Sequence, residues 1–300
     1  MDGDAKSRTK SEMVNMLPTS DICELPSGAV EYARIGSGPC ILVSHGTLGG
    51  YDQGLAIALL FDGYPYTFVC LSRAGYLRSA LDGGRTPQAQ AGTDARLLDL
   101  LGIEQAVMLG VSGGAPSALA FAQDYPQRCR ALVLLSSISA PPSDMPAFFR
   151  AMIKMQDFTM RLDPLWKLMY RYGLRITLRM NGLYPDQIKE VMADKTKREI
   201  IKGIFRPTAT ASRRRLGMSN DGDQIENLPE KPSFRVTAPT FISHALNDPL
   251  ASPDRARHLA KTIQGSHYLI LPDGGHVFFV VHRERVVPAI VDFLEGRSIA

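Results

Sequence analysis

Short runs that are apolar on both faces, set between longer stretches with helical spacing, restrict this chain to one broad architecture. Ile41-Leu42-Val43 and Leu132-Val133-Leu134-Leu135 have no polar alternate that water could wet. Strands read this way when a helix layer covers each face of their sheet. The spans 29–34, 40–44, 66–70, 105–110, 131–135, 240–243 and 266–271 are the expected strands. The spans 53–60, 86–101, 114–123, 254–262 and 283–294 are the expected helices. Such alternation predicts an α/β fold, a mostly parallel central sheet with helices on both faces. The chain has 300 residues, 45% hydrophobic and 21% charged, which excludes a disordered chain. One large domain, or one domain carrying an insertion, is expected at this length.

The alternation stops over 141–235. That stretch shows helix-like segments and no clear strand. It carries 18 Lys+Arg against 11 Asp+Glu, 8 of the 12 methionines and the only tryptophan, Trp166. It reads as a helical insertion between two strands of the sheet, although it could simply be the next part of the fold. The expected division is therefore a core from 1–140 with a loose leader over 1–20, the insertion over 141–235, and the rest of the core over 236–300.

Several function classes fall away. Apolar runs such as 131–135 and 277–281 are far shorter than the roughly 20 residues a membrane span needs. The first residues are charged and lack the apolar segment of a secretory signal. Cys23, Cys40, Cys70 and Cys129 form no CxxC pair and no metal-finger spacing, so they read as reduced thiols in a cytoplasmic protein. No metal-binding or cofactor-binding motif is present, and neither is expected. Arg213-Arg214-Arg215, in a chain of pI ≈ 8.9, raises nucleic acid or an anionic membrane as a partner. The run is short and has no interleaved aromatics, so a solvated helix face is expected, and no nucleic acid. One arginine of the run could instead meet an anionic group of a substrate. The oligomeric state is left open.

The strongest local signal is Gly110-Val111-Ser112-Gly113-Gly114. It follows an expected strand and precedes an expected helix, the context in which G-x-S-x-G exposes a serine nucleophile on a sharp turn. A phosphate-binding loop would need GxxxxGK[ST], and a dinucleotide loop GxGxxG. A hydroxyl also needs a base. Of six histidines, His276 in Pro272-Asp273-Gly274-Gly275-His276 follows the last expected strand on a turn able to reach across. His282 reads as structural and His258 as surface. An imidazole base works best with a carboxylate that fixes its tautomer. Asp248, past the strand at 240–243, fits that place. Its bland reading is a turn before Pro249, and Asp254 is a rival that looks like a helix start.

These residues, with Ser44-His45-Gly46-Thr47 and Ser72-Arg73-Ala74-Gly75-Tyr76-Leu77-Arg78-Ser79, resemble the α/β-hydrolase superfamily, in its cap-bearing serine branch. The resemblance covers 21–140 and 236–300. It implies that the insertion caps the active site. It also implies an oxyanion hole made by the N–H of Gly113 with that of Thr47 or Leu48, and a loop-shaping role for His45. His244 stands where the family often has glycine, which leaves open which histidine serves Asp248. The expected activity is hydrolysis of a small or medium, partly apolar carboxylic ester through Ser112, His276 and Asp248, with an acyl-enzyme. Hydrolysis of a C–C bond or a lactone by the same triad is the alternative among enzymes. A non-catalytic small-ligand receptor is the alternative outside them.

Overall fold

The computed structural model describes residues 18–141, 158–230 and 232–297. Most of the expected leader and the stretch 142–157 of the insertion lie outside the described residues. In chain order the elements are β1 (Asp21–Leu25), β2 (Gly28–Gly36), β3 (Cys40–Ser44), α1 (Tyr51–Ala58), β4 (Thr67–Leu71), α2 (Pro87–Leu100), β5 (Ala106–Val111), α3 (Ala115–Asp124) and β6 (Cys129–Leu135). Then come α4 (Asp163–Tyr172), α5 (Leu174–Met180), α6 (Pro185–Ala193), α7 (Lys195–Phe205) and α8 (Arg215–Glu226), followed by β7 (Thr240–Ala245), α9 (Pro253–Thr262), β8 (His267–Leu271), α10 (Phe278–Val281) and α11 (Arg283–Leu294).

The eight strands form one sheet in the order β1-β2-β4-β3-β5-β6-β7-β8. The pairs β1–β2 and β2–β4 are antiparallel, and every later pair is parallel. β3, β4 and β5 are buried along their whole length, as their two-sided apolar sequence requires. Alternate side chains divide between two cores. Val43, Leu109 and Val133 face one, with α1, α7 and α11. Leu42, Met108 and Leu132 face the other, with α2, α3 and α9. Each expected strand is present, shifted by two residues at most. β1 was not anticipated. Asp21-Ile22-Cys23-Glu24-Leu25 is mostly exposed at the sheet's edge, so its polar positions hide the strand pattern.

Among the described residues, 158–230 holds helices and no strand. It joins β6 to β7, which are neighbours in the sheet. The arginine run departs from the solvated face expected for it. Arg214 is only 1% exposed. Its guanidinium donates to the Gly49 carbonyl at 2.9 Å and to Asp52 at 2.5 Å, and it also binds Thr210. A tripeptide of like charges carries no mark of which member turns inward. That choice is made by Asp52, 162 residues earlier in the chain.

α2 carries a buried acid, Asp94, with 2% of its surface exposed. Burial pushes its carboxyl up to about 7, against the opposing pull of the Arg73 charge. A carboxyl whose folded-state pKa is raised keeps its proton longer in the native chain than in the unfolded one. Its stabilising share is complete below the unfolded value near 4 and is lost as pH rises through about 7. Thermal melts between pH 5.5 and 8 are expected to fall with rising pH, and Asp94→Asn is expected to flatten that slope. An unchanged slope in Asp94→Asn would assign the pH dependence to another group.

Candidate active site

The turn from β5 into α3 decides where Ser112 stands. Ser112 has φ 51, a left-handed conformation that a non-glycine residue adopts only when its surroundings impose it. Both flanking glycines are required. A Cβ on Gly110 would lie 2.7 Å from the Ala118 Cβ, and one on Gly114 would lie 2.2 Å from the Ser44 carbonyl. The serine is thus held at the carboxyl end of β5, where the N-terminus of α3 begins.

Two other strand ends bring His276 and Asp248 to it. His276 Nε2 lies 2.8 Å from Ser112 Oγ, and His276 Nδ1 lies 2.8 and 3.0 Å from the two Asp248 oxygens. A carboxylate only accepts, so Nδ1 carries the proton and Nε2 is free to accept from the serine hydroxyl. Asp248 is buried. It also receives the N–H groups of Leu250 and Ala251 and lies 3.2 Å from His244 Nε2. Burial alone would raise its carboxyl. His276 and His244 outweigh that and hold it well below the usual carboxylate range. The imidazole that bridges acid and serine is therefore His276. His244 is buried beside the acid, with its Nε2 also 2.9 Å from the Ala251 carbonyl. Asp254 starts α9 and pairs with Arg257. His282 pairs with Asp273 at 2.7 Å.

The loop after β3 closes the other side. The backbone N–H of Arg73 donates to His45 Nε2 at 3.0 Å, so His45 Nδ1 bears the proton and donates to the Gly46 carbonyl at 2.7 Å. Complete burial, reinforced by the Arg73 charge, keeps this imidazole neutral, with its pKa well below the ordinary histidine value. That fits loop shaping. Of the two residues left open for the oxyanion hole, Leu48 has its N–H directed to the Tyr76 hydroxyl at 3.3 Å. Thr47 N lies 3.3 Å from where a Cβ on Gly113 would stand.

The family model of the alpha/beta hydrolase fold matches residues 39–283. The chain belongs to the α/β-hydrolase fold family. It is similar, at 27% identity over 268 residues, to a Bacillus subtilis (strain 168) protein named uncharacterized hydrolase YcgS, with 84% of this chain and 90% of that one covered. Among solved structures it is similar to an alpha/beta hydrolase fold protein from Nakamurella multipartita, with TM-score 0.76 and 27% identity over 93% of this chain and 99% of that one. It also shares its fold with a thermophilic esterase from Thermogutta terrifontis, with TM-score 0.65 and 23% identity over 93% and 99% of the two chains. An α/β-hydrolase with such relatives is an enzyme, a hydrolase.

In this α/β-hydrolase the serine opens into a cavity of about 760 Å³. Trp166, Met169, Leu174, Ile204 and Met218 wall it from the β6–β7 segment, and Thr47, Ser112 and His276 lie on the sheet side. The lining is mainly apolar. Among the described residues no helix is long and apolar enough to cross a membrane.

One cluster was invisible to motif reading. Asp221 of α8 is 2% exposed and pairs with both terminal nitrogens of Arg73, at 2.6 and 2.5 Å. It also accepts from the Tyr76 hydroxyl at 2.6 Å. Arg73 and Tyr76 lie in the 72–79 stretch that carries the family resemblance, a pattern that assigns neither of them a role. Asp221 has no local signal, because its partner is 148 residues away.

Alanine at two glycines separates the crowded turn from open helix surface. Gly114→Ala is expected to lower stability by about 1–3 kcal/mol or more, because backbone rather than a movable side chain blocks the new methyl. Gly222→Ala, in α8 with nothing within 4 Å, is expected to gain up to about 1 kcal/mol from helix propensity. Denaturant midpoints of the two variants measure both, and equal shifts would refute the steric account of the turn.

Proposed function

We propose that this α/β-hydrolase is a serine esterase for small or medium, partly apolar carboxylic esters, and that the segment between β6 and β7 is its cap. The observation that carries the reading is the hydrogen-bonded series Ser112–His276–Asp248 at the floor of a largely apolar cavity. Ser112 Oγ attacks the ester carbonyl while His276 Nε2 takes its proton. Asp248 fixes the tautomer and stabilises the imidazolium that forms. The N–H groups of Gly113 and Thr47 receive the oxyanion, since Leu48 is engaged by Tyr76. His276 then returns its proton to the leaving alcohol. Water, deprotonated by the same imidazole, releases the acid from the acyl-enzyme. The cavity volume suits a substrate of modest size, and its apolar wall favours an acyl or alcohol part without charge.

Ser112→Ala is expected to remove essentially all ester turnover, about 10⁶ in kcat, with melting unchanged. A fluorophosphonate should label the wild-type chain at Ser112 and leave the variant untouched. Labelling elsewhere, or a tenth of the activity retained, would sink the assignment. A panel of esters, lactones, amides and C–C substrates tests the bond class. Binding without turnover of any of them would favour a receptor. Because only a neutral imidazole can accept the proton, turnover should rise with pH, and His276→Ala should lose both the limb and the activity.

Met218→Ala enlarges the cavity wall and should shift preference toward bulkier acyl groups, while labelling of Ser112 by a small phosphonate stays near the wild-type rate. Fixed substrate rankings alongside reduced stability would make the segment a packing layer only.

A further inference from the structure

We infer that Asp221, delivered by the segment between β6 and β7, is a positioning residue for the loop 45–48 that carries the oxyanion-binding N–H, acting through Arg73 and Tyr76. The inference rests on the reading of Ser112 as nucleophile and Thr47 as donor, and it goes beyond that reading by giving the cap a share in the chemistry.

The loop needs holding. Leu48 sits at φ 65, a left-handed conformation unfavourable for a leucine. Thr47 lies between that strained residue and His45, so its N–H direction depends on both flanks. Each flank leads to Asp221. On one side, Arg73 donates through its backbone N–H to His45 Nε2 and through Nε to the His45 carbonyl at 2.9 Å, while both its terminal nitrogens hold Asp221. On the other side, the Tyr76 hydroxyl gives its proton to Asp221 and offers its lone pair to the Leu48 N–H. Without that acceptor the hydroxyl would lose the partner that takes its proton and turns its lone pair toward Leu48. The Tyr76 ring also stands edge-on to His45, with centroids 4.7 Å apart. Arg214 adds a further tie from the same segment, at the Gly49 carbonyl.

Charge bookkeeping fits the same role. A Cβ on Gly113 would stand 3.5 Å from Asp221 Oδ2, so the carboxylate lies close to where negative charge would develop. Alone it would oppose an oxyanion. Paired in two bonds with a guanidinium, and buried together with it, it forms a nearly neutral unit that orders the loop without repelling the transition state.

The test uses the full chain and three variants: Asp221→Asn, Tyr76→Phe, and the charge-free double Arg73→Met with Asp221→Leu. The double variant avoids a lone buried charge, which could prevent folding. For each, kcat and KM are measured on several esters of different acyl size, with the inhibition constant of a matching trifluoromethyl ketone, which forms a tetrahedral adduct on serine, and the melting temperature. Tyr76→Phe and Asp221→Asn should lower kcat by about tenfold, less than the about 10²–10³ lost with an oxyanion donor itself. The ketone should weaken by the same factor, with KM within about twofold of wild type. The loss should be alike for every ester, unlike the reordering expected from Met218→Ala. Unchanged kcat and ketone affinity in folded variants would overturn the inference, as would a change confined to KM or to melting. Failure of the wild-type chain to label at Ser112 is a different outcome: it removes the esterase reading, and the inference with it.

Discussion

The site begins with a lack of room. Where β5 turns into α3, the Ser44 and His45 carbonyls at the end of β3 and the first turn of α3 approach so closely that positions 110 and 114 admit no side chain. That crowding holds Ser112 in a conformation it would not adopt alone. It also fixes the spacing between the serine turn and the loop after β3. Everything else in the site is arranged around that junction. His276 and Asp248 arrive from the ends of β8 and β7, on the far side of the sheet order from β3. The parallel sheet places all these strand ends along one edge, so that residues distant in sequence converge there.

What was readable in the chain follows from this. Ser112 announces itself because the steric demand falls on its own neighbours, Gly110 and Gly114, and leaves a contiguous pattern. The strands were readable because burial on both faces removes polar residues from them. His276 and Asp248 were readable as types at strand ends, although only the structure shows which imidazole bridges. β1 was hidden because an edge strand keeps its polar residues. Arg214 and Asp221 were hidden for a different reason. A buried charge is defined by its partner, and Asp52 and Arg73 lie 162 and 148 residues away. Local sequence cannot separate such a residue from a solvated one.

The β6–β7 segment is fastened by more than side chains. Leu77 N–H donates to the Arg213 carbonyl, Gly217 N–H to the Gly75 carbonyl, and His276 N–H to the Asn181 carbonyl. Backbone bonds of this kind survive most substitutions. The last of them reaches the residue next to Gly275, where a Cβ would meet the Asn181 carbonyl at 1.9 Å. The segment therefore braces both the histidine turn and the loop after β3, while Leu165, Trp166, Met169, Leu174 and Met218 line the cavity.

The connection between β6 and β7 also shapes how the molecule assembles. These strands pair in register, Leu132 with Thr240 through Leu135 with Ser243, yet about a hundred residues separate them in the chain. Closing so long a loop slows the search for the contact, because its entropy is lost before the pairing rewards it. The three parallel pairings that join β4, β3, β5 and β6 need no such closure. The serine turn can thus form early, on its own half of the sheet, whereas the acid and the histidine join only when β7 docks. Loop entropy grows slowly with length, by about 0.6 kcal/mol per doubling, so the sheet itself places little constraint on how long the intervening segment is. A lineage can lengthen or shorten that segment with small effect on the pairing of β6 with β7, provided the few residues that reach back to the loop after β3 keep their places.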